Sequence, residues 1–297
     1  MDNVKQFEIK NSKGEALNVC EGKDIENTKG VVLFLHGIGS HHQLIYECED
    51  CFIYKSNLFG LSNYKSYGLE FSGHGKSEGL RCSIDLYEDL IDEIRTMILF
   101  IKEKYENKKI FIYAESMGAG LSIIYDLKYK EESYVNGYIL MSPLCGITDK
   151  LKPNYFMKEI LFNLSYVIPT TPFLGAMDHI RDACKNKNFL EKKLVCPYQY
   201  NGKVRLNTAR ECYRICEYIE NNEHKFDSPV YLFHGIDDTI TDAKKSIRFY
   251  RNISSKNKKL YLTKDSNHII TLGLNDDDER PLEILNKVID FIDGLCN

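Results

Sequence analysis

The stretch Ile110-Phe-Ile-Tyr-Ala-Glu-Ser-Met-Gly-Ala-Gly120 decides the fold of this chain. An apolar run that predicts a strand is followed by x-Ser-x-Gly and then by helix-forming residues. This order is typical of the nucleophile elbow, a sharp strand-to-helix turn that raises a serine hydroxyl above the end of a sheet. Ala114 stands where the first glycine of the motif is usual. Since a Ser-x-Gly pattern alone is weak evidence, the assignment of Ser116 as nucleophile depends on what surrounds it.

Apolar runs that predict strands alternate with amphipathic segments along most of the chain. After an opening hairpin in residues 4–20, the predicted strands cover 31–35, 64–71, 110–114, 137–141, 230–234 and 259–263, and the predicted helices cover 83–105, 117–130, 243–252 and 281–295. This alternation favours a parallel sheet with helices on both faces. We therefore predict an α/β-hydrolase fold, with a mostly parallel central sheet and a helical cap insertion.

The alternation is interrupted between residues 141 and 230, where helical pieces, prolines and cysteines replace strands. An insertion after the strand that follows Ser116 would lie over its hydroxyl, as a cap does. We predict a first core segment at 1–144, a cap at 145–226 and a second core segment at 227–297.

A serine nucleophile needs a base, and in this fold the base follows in a loop after a late strand. His268 lies in the polar loop Asp265-Ser-Asn-His268, after the last predicted strand. Its place in the chain order makes His268 the predicted base.

The acid that orients this histidine should follow the strand 230–234. Asp237 and Asp238 both lie there, and the spacing from His234-Gly235 favours Asp238. Asp265 is a weaker alternative, because it belongs to the same loop as His268.

Two backbone N–H groups should bind the oxyanion that develops during acyl transfer. One is predicted at Met117, directly after the nucleophile. The other is predicted at Ile38, in the loop His36-Gly-Ile-Gly-Ser-His41, whose glycines allow the backbone to approach a substrate. His36 itself is expected to be structural.

Composition narrows the classes of partner. The formal net charge is −4 and no basic block stands out, which argues against a nucleic-acid partner. The first residues lack the apolar core of a signal peptide, and the longest apolar stretch, 160–168, is too short to span a bilayer. A cytoplasmic enzyme is expected, with its oligomeric state open.

The ten cysteines do not form a disulfide framework by their spacing. A zinc site would combine Cys48-x-x-Cys51 with His41 and His42, but reduced, buried cysteines are the favoured interpretation. Likewise Gly73-His-Gly-Lys-Ser-Glu-Gly79 lacks the spacing of a phosphate-binding P-loop and is interpreted as a structural turn. No metal ion or organic cofactor is expected.

Taken together, these motifs resemble the monoglyceride lipase and lysophospholipase branch of the serine α/β hydrolases, over about residues 31–273. The resemblance rests on His36-Gly-Ile-Gly39, Gly73–Gly79, Glu115-Ser-Met-Gly118, Met141-Ser-Pro-Leu144, His234-Gly-x-x-Asp238 and His268. It implies Ser116 as nucleophile, Asp238 as acid, His268 as base, Ile38 and Met117 as oxyanion donors, and a lipid-facing cap that includes 167–175.

The sequence departs from this family's pattern at several positions. Glu115 stands where the family usually has His, Glu70 where it has Asp, and Cys196-Pro197 where many relatives show Asp-Pro. These departures leave the triad intact and put the substrate preference in question.

The expected reaction is hydrolysis of a lipid carboxylic ester, a monoacylglycerol or a lysophospholipid, through an acyl-enzyme on Ser116. The apolar cap residues expected to bind the acyl chain are Phe156, Ile160, Leu161, Leu164 and Val167; cap core is an equally weighted explanation for them. The same residues could rest transiently on a membrane surface. The alternatives are a broad carboxylesterase, a thioesterase or acyltransferase, and a ligand-binding homologue without turnover.

Overall fold

A computed structural model describes residues 4–42, 51–132, 134–172, 186–264, 266–272 and 278–296. A single eight-stranded sheet runs through the described part of the chain, in the order β1-β2-β4-β3-β5-β6-β7-β8. The strands are β1 Lys5–Lys10, β2 Ala16–Glu21, β3 Gly30–Leu35, β4 Tyr64–Leu69, β5 Lys109–Glu115, β6 Val135–Met141, β7 Val230–Gly235 and β8 Lys258–Thr263.

The first two strands are antiparallel to each other, and β2 is antiparallel to β4. From β4 to β8 all neighbouring strands are parallel. Strands β3 and β5 pair in the middle with Leu35 opposite Ala114, so the loops that follow them lie side by side. The carboxyl ends of the parallel strands therefore meet at one edge, where sites in open α/β sheets are found.

Helices cover both faces, because the central strands are buried on both sides. The helices are α1 Phe52–Leu61, α2 Tyr87–Lys104, α3 Met117–Tyr129, α4 Tyr155–Val167, α5 Lys187–Leu194, α6 Leu206–Asn222, α7 Ala243–Asn252 and α8 Arg280–Cys296. Helices α2, α3 and α6 share one core cluster with side chains of β3 and β5. Helices α1 and α8 share the other, around Phe34, Phe111 and Tyr113.

The predicted fold class is confirmed, and the strands and helices predicted above agree with the structure to within a few residues at their ends. The helix that the sequence did not predict is α1. Its buried residues are Phe52, Lys55, Ser56 and Phe59, a mixture of apolar and polar side chains that gives no clear apolar stripe.

Among the described residues between β6 and β7 lie the helices α4, α5 and α6. Helix α6 contributes Ile215 and Ile219 to the core cluster that it shares with α3, although it falls inside the predicted cap of residues 145–226. Helix α4 has one buried residue, Ser165, and α5 has none. The part of the insertion that stands over the sheet edge therefore ends before Leu206.

One cysteine prediction was wrong. Cys51 is disulfide-bonded, whereas reduced cysteines were expected. The other described cysteines are free, and Cys212 and Cys216 lie one turn apart on α6. Cys48 lies outside the described residues.

Candidate active site

Ser116 occupies a strained turn between β5 and α3. Its φ of 52° and ψ of −112° lie in a region that residues other than glycine rarely adopt. The backbone is held there because the Ser116 N–H donates to the Met141 carbonyl at 2.9 Å and the Ser116 carbonyl accepts from Gly120 and Leu144. A strained residue fixed by its surroundings is typical of a functional position.

Two glycines let other backbone segments approach this turn. A Cβ at Gly37 would lie 3.0 Å from the Ser116 Cβ, and one at Gly118 would lie 2.7 Å from the His36 carbonyl oxygen. Only glycine leaves room for both contacts. Ala114, which replaces the usual first glycine, is fully buried, and the turn forms with its methyl group in place.

The loops after β7 and β8 bring Asp238 and His268 together. The His268 Nδ1 donates to Asp238 Oδ2 at 2.8 Å, which leaves the lone pair of Nε2 as the proton acceptor of the ring. His268 and Ser116 line the same cavity. The acid in hydrogen-bond contact with His268 is therefore Asp238, and Asp265 lies outside the described residues.

Asp238 is buried and is held by five donors. Its Oδ1 accepts from the N–H groups of Ile240 and Thr241, at 2.7 and 3.1 Å. Its Oδ2 accepts from the Thr241 hydroxyl at 2.7 Å and lies 3.1 Å from His234 Nε2, in addition to His268. Burial alone would raise the pKa of this carboxyl, but the charge of His268 and the hydrogen bonds of both histidines outweigh it and hold the pKa well below its usual range.

Sequence reasoning did not assign a role to His234 or Thr241. Both side chains are fully buried, and the Thr241 hydroxyl also lies 3.3 Å from His234 Nε2 and 3.3 Å from His268 Nδ1. The spacing His234-x3-Asp238-x2-Thr241 was the available signal. These two residues fix the orientation of the carboxylate through which His268 is positioned.

Gly235 lets the His268 loop pack on the end of β7. A Cβ there would lie 2.4 Å from the Ser266 carbonyl oxygen and 2.6 Å from that of Asn267. The glycine of the His234-Gly235 pair thus serves the approach of one loop to another, and no side chain fits at this position.

The loop after β3 runs beside the elbow. Gly39 has a φ of 67°, which turns the backbone so that the Ser40 N–H donates to Gly37 O at 3.2 Å. Ile38 lines both cavities that contain Ser116. Met117 is the first residue of α3, so its N–H has no intrahelical acceptor. The two predicted oxyanion donors therefore belong to neighbouring segments at the nucleophile, and their role stays a prediction.

His36 has a structural position, as the sequence indicated. Its Nδ1 lies 2.8 Å from the Gly37 carbonyl oxygen, and its Nε2 accepts from the Phe71 N–H at 3.2 Å. Burial, followed by the neighbouring His74 and His42, lowers the pKa of this imidazole, so the ring is neutral.

The Gly73–Gly79 turn wraps around the carboxylate of Glu70. This carboxylate accepts from the Lys76 N–H at 2.7 Å and from the His42 N–H at 2.8 Å. A Cβ at Gly75 would lie 2.2 Å from it. Glu70 therefore ties this turn to the end of the His36–His42 loop, which agrees with the structural interpretation of the glycine-rich motif.

Glu115, the unusual neighbour of the nucleophile, is paired with Lys55 of α1. The Lys55 side chain is 3 % exposed and its ammonium lies 5.1 Å from the centroid of the Tyr113 ring. Because a buried ammonium needs a compensating charge, Glu115 accounts for the burial of Lys55. The pair anchors α1 to the end of β5.

Two cavities meet at Ser116. The larger, of about 140 Å³, is mostly apolar and lies between α4 and α6, where Leu161, Phe162 and Leu206 contribute to its wall. The smaller, of about 100 Å³, contains His268 and extends toward Glu115 and α5. Ser116, Ile38 and Ile240 belong to both walls.

Of the five cap residues named from the sequence, Leu161 lies in the wall of the larger cavity. The other four are exposed on the outer surface of α4, by fractions of 74 % for Phe156, 39 % for Ile160, 39 % for Leu164 and 77 % for Val167. The residues of α4 that join Leu161 in the wall are Lys158 and Phe162, which the sequence analysis did not name. Helical periodicity identified the helix, but not which of its faces turns inward.

Buried Arg210 of α6 fastens α4 to the core. Its guanidinium donates to the Ser165 carbonyl at 3.3 Å, to the Asp85 carbonyl at 2.7 Å and to the Glu211 carboxylate at 2.7 Å.

Within the described ranges, no group of three or more His, Cys, Asp or Glu side chains is arranged to hold a metal ion. Across the same ranges, no helix has the length and apolar character needed to cross a bilayer.

A family whose description reads serine aminopeptidase, S33 (Hydrolase_4) matches residues 26–275 of this chain. The match covers the sheet from β3 onward, all three loops that carry Ser116, Asp238 and His268, and the insertion between β6 and β7.

Curated proteins are similar to this chain in sequence, and solved structures are similar to it in fold. Caffeoylshikimate esterase of Arabidopsis thaliana is 27 % identical over 276 residues, which cover 89 % of this chain and 78 % of that protein. Monoglyceride lipase of Saccharomyces cerevisiae is 24 % identical over 255 residues, which cover 82 % and 78 %. The crystal structure of a soluble variant of the yeast lipase, in complex with a substrate analog, superposes with a TM-score of 0.80 at 21 % identity and covers 99 % of this chain and 96 % of its own.

Proposed function

The chain belongs to the serine aminopeptidase S33 family and is a monoglyceride lipase-like α/β hydrolase, and from this premise we propose that it hydrolyses carboxylic esters of lipids through an acyl-enzyme on Ser116. The substrates proposed are monoacylglycerols or lysophospholipids. The observation that carries the proposal is the position of Ser116, on a strained turn at the junction of an apolar cavity and a cavity that contains His268.

The proposed reaction begins when His268 Nε2 takes the proton of the Ser116 hydroxyl as its oxygen attacks the ester carbonyl. The new C–O bond pushes the carbonyl electrons onto oxygen, and the N–H groups of Ile38 and Met117 bind that oxyanion. When the carbonyl re-forms, the bond to the alcohol breaks and the alcohol leaves with the proton from His268. Water, activated by the same histidine, then releases the fatty acid and restores Ser116.

Asp238 stays ionised throughout this cycle, because its five donors stabilise the carboxylate. Its negative charge stabilises the imidazolium that forms on His268, and its hydrogen bond to Nδ1 leaves Nε2 to accept the proton of the nucleophile. His234 and Thr241 act through Asp238 as positioning residues.

The apolar character of the larger cavity supports an acyl chain rather than a peptide as the bound group. Its wall combines Leu161, Phe162 and Leu144 with Ile147 and Ile240. Burial of each methylene in such a wall contributes about 0.8 kcal/mol to binding. A thioesterase or an acyltransferase would use the same acyl-enzyme, and would differ in the leaving group or the acceptor.

Labelling with a fluorophosphonate probe tests the nucleophile. We expect covalent labelling of the wild-type protein and none of Ser116→Ala, with Ser40→Ala as the control for a second serine at the same cavity. Turnover of matched long-chain monoacylglycerol, lysophospholipid, acyl-CoA and short-chain esters then defines the substrate class. Labelling that persists in Ser116→Ala, or a preference for acyl-CoA over every oxygen ester, would contradict the proposal.

We also propose transient contact of the cap with a lipid surface. Helix α4 exposes Tyr155, Phe156, Tyr166 and Val167 by more than 60 % each. Apolar and aromatic side chains on the exposed surface of a helix are the usual means of interfacial binding. Co-sedimentation with phosphatidylcholine vesicles should weaken in the double variant Phe156→Ser, Val167→Ser, while hydrolysis of a short, water-soluble ester is retained. Equal co-sedimentation of variant and wild type would refute this contact.

A further inference from the structure

Lys193 lines the smaller cavity, its ammonium lies 5.3 Å from the centroid of the Phe189 ring, and no carboxylate of the described residues pairs with it. We infer that Lys193 makes this cavity a site for an anionic leaving alcohol, so that the enzyme prefers lipid esters whose alcohol carries a phosphate or a carboxylate group. The inference rests on the proposed function, since it assigns the cavity to one product of that reaction.

The position of His268 indicates which of the two cavities binds the leaving alcohol. His268 must deliver its proton to the leaving oxygen, so the alcohol has to lie on the side of His268. His268 lines the smaller cavity and is absent from the wall of the larger one. The acyl chain is therefore assigned to the apolar cavity under α4, and the alcohol to the cavity beside α5.

The charged side chains around the smaller cavity favour an anion. Glu115 lines the smaller cavity, but its carboxylate is already neutralised by the buried Lys55. The carboxylate of Asp238 is balanced by His268 when that ring is protonated. Lys193 lines the same cavity, and no carboxylate of the described residues forms an ion pair or hydrogen bond with it. The balance of charges around the alcohol is therefore positive while His268 is protonated, which is when the alcohol leaves.

The segment that follows Lys193 is held in place by its neighbours. The turn after α5 contacts the loop after β3, which runs beside Ser116, at three points. The Gln199 amide donates to the Gly39 carbonyl at 2.7 Å, the Tyr200 N–H donates to the same carbonyl at 3.3 Å, and Cys196 Sγ lies 3.3 Å from His41 Nε2. The lysine is thus carried by a segment that is bound to the active-site loop.

Gln199 belongs to the same wall and holds it in place. Its Nε2 donates to two carbonyl oxygens, of Gly39 and Tyr200, which fixes the orientation of the amide because the opposite orientation would bring oxygen against oxygen. Its Oε1 is buried without a hydrogen-bond partner. The amide of Gln199 thus fixes the loop after β3 and the turn after α5 beside the cavity that Lys193 lines.

A lysine in the last turn of a helix usually serves the helix dipole in solvent. Two observations favour more than that for Lys193. Its side chain is partly buried in the cavity wall. Its ammonium also lies close enough to the buried His41 to lower the pKa of that imidazole, after the larger effect of burial. The charge therefore acts on the interior of the site. Lys192, its neighbour, is exposed and is absent from the cavity wall.

The test compares esters that share one acyl chain and differ in the alcohol. A 1-acylglycerol, the corresponding 1-acylglycerol 3-phosphate and an acyl ester of glycerate would be presented in the same neutral detergent micelles. The readout is the ratio of kcat/KM for each anionic ester to kcat/KM for the neutral one. We expect a ratio above one in the wild type and a fall of about tenfold in Lys193→Gln, the size of one charge-assisted hydrogen bond. Lys193→Arg should retain the preference, and Lys192→Gln should keep the wild-type ratio.

Comparison of the two anionic esters distinguishes a phosphate from a carboxylate, and a preference for either supports the inference. Raising the salt concentration should reduce the ratio in the wild type more than in Lys193→Gln. If the wild type hydrolyses the neutral ester and the ratio is one or lower, or is unchanged in Lys193→Gln, the inference is wrong while the proposed function stands. If the wild type hydrolyses none of the esters and is not labelled at Ser116, the proposed function fails and the inference fails with it.

Discussion

The sheet edge and the cap divide the site between them, and they are built in different ways. At the sheet edge, Ser116, Asp238 and His268 are buried or nearly so, and each loop is held by hydrogen bonds to the next. In the cap, α4 has one buried residue and α5 has none, so these helices depend on a few ties such as Arg210 and Gln199. Under the proposed function, the chemistry therefore belongs to the closely bonded edge, and substrate choice belongs to elements with little core of their own.

Substitution of Asp238 tests the sheet edge and should have the greatest effect on activity. In Asp238→Asn, the amide would no longer provide the charge that stabilises protonated His268, and kcat should fall about 10⁴-fold. Asp237→Asn should stay within a few-fold of wild type. Steady-state kinetics on a short ester measures both. A similar loss in the two variants, or near-normal activity of Asp238→Asn, would contradict the assignment of the acid.

Gly235→Ala tests whether loop placement at the edge is as exact as its packing indicates. The new methyl would lie 2.4 Å from the Ser266 carbonyl oxygen, so the loop that carries His268 must shift. We expect kcat to fall about 10²-fold, as for other displacements of a catalytic group by about 1 Å. Gly294→Ala, where nothing lies within 4 Å, is the matched control. Unchanged kcat in Gly235→Ala would show that the edge tolerates movement.

The pH dependence of stability provides a test that does not involve catalysis. Burial lowers the pKa of His74 to about 4, so the ring is neutral in the folded protein and must gain a proton on unfolding below its ordinary pKa of 6.5. Its contribution to stability is therefore present above pH 6.5 and lost as the pH falls toward 4. Between pH 7 and pH 5 this single group should cost about 2 kcal/mol.

Urea unfolding at the two pH values measures this loss. In His74→Asn the decrease in unfolding free energy should be smaller than in the wild type, while replacement of the exposed His224 by Asn should leave the decrease unchanged. Equal decreases in all three proteins would mean that the histidine packed beneath the active-site loop does not titrate as its burial requires.

Substitution of Leu161 tests the cap and should change kcat/KM less than the substitutions at the sheet edge change kcat. Leu161→Ala removes part of the wall of the larger cavity, so kcat/KM for a long-chain ester should fall about tenfold relative to a short-chain ester. Phe156→Ala, on the outer surface of the same helix, should leave this chain-length ratio unchanged. A larger change in Phe156→Ala than in Leu161→Ala would mean that α4 presents its other face to the substrate.

The sequence predicted the sheet edge well because local patterns determine it. Each apolar run that forms a buried strand ends in the glycine and polar residues of a turn, and the chain order of the turns follows from the topology of the fold. Gly37 and Gly235 were visible as His-Gly pairs, although the contacts that require them, to Ser116 and to the Ser266 carbonyl, join residues far apart in the chain.

The partner of Glu115 and the inward face of α4 could not be predicted from the sequence, because both depend on contacts between residues far apart in the chain. Glu115 pairs with Lys55, which lies sixty positions earlier in the chain on α1. Because α1 buries polar as well as apolar side chains, its sequence shows no apolar stripe that predicts a helix. On α4, apolar residues lie all around the helix, so its pattern could not say that Leu161 turns inward and Val167 outward. Such choices are made by tertiary packing against α6, which a single sequence does not reveal.

The connection between β6 and β7 has an evolutionary consequence. The chain leaves the sheet after Met141, builds α4 and α5, and returns through α6, which is anchored on α3 before β7 begins. Replacement of the segment before Leu206 would alter the wall of the larger cavity and remove Lys193 from the smaller one without moving a strand. Substitutions confined to this segment could therefore change the substrate range of related proteins, while the residues that break the ester are inherited unchanged.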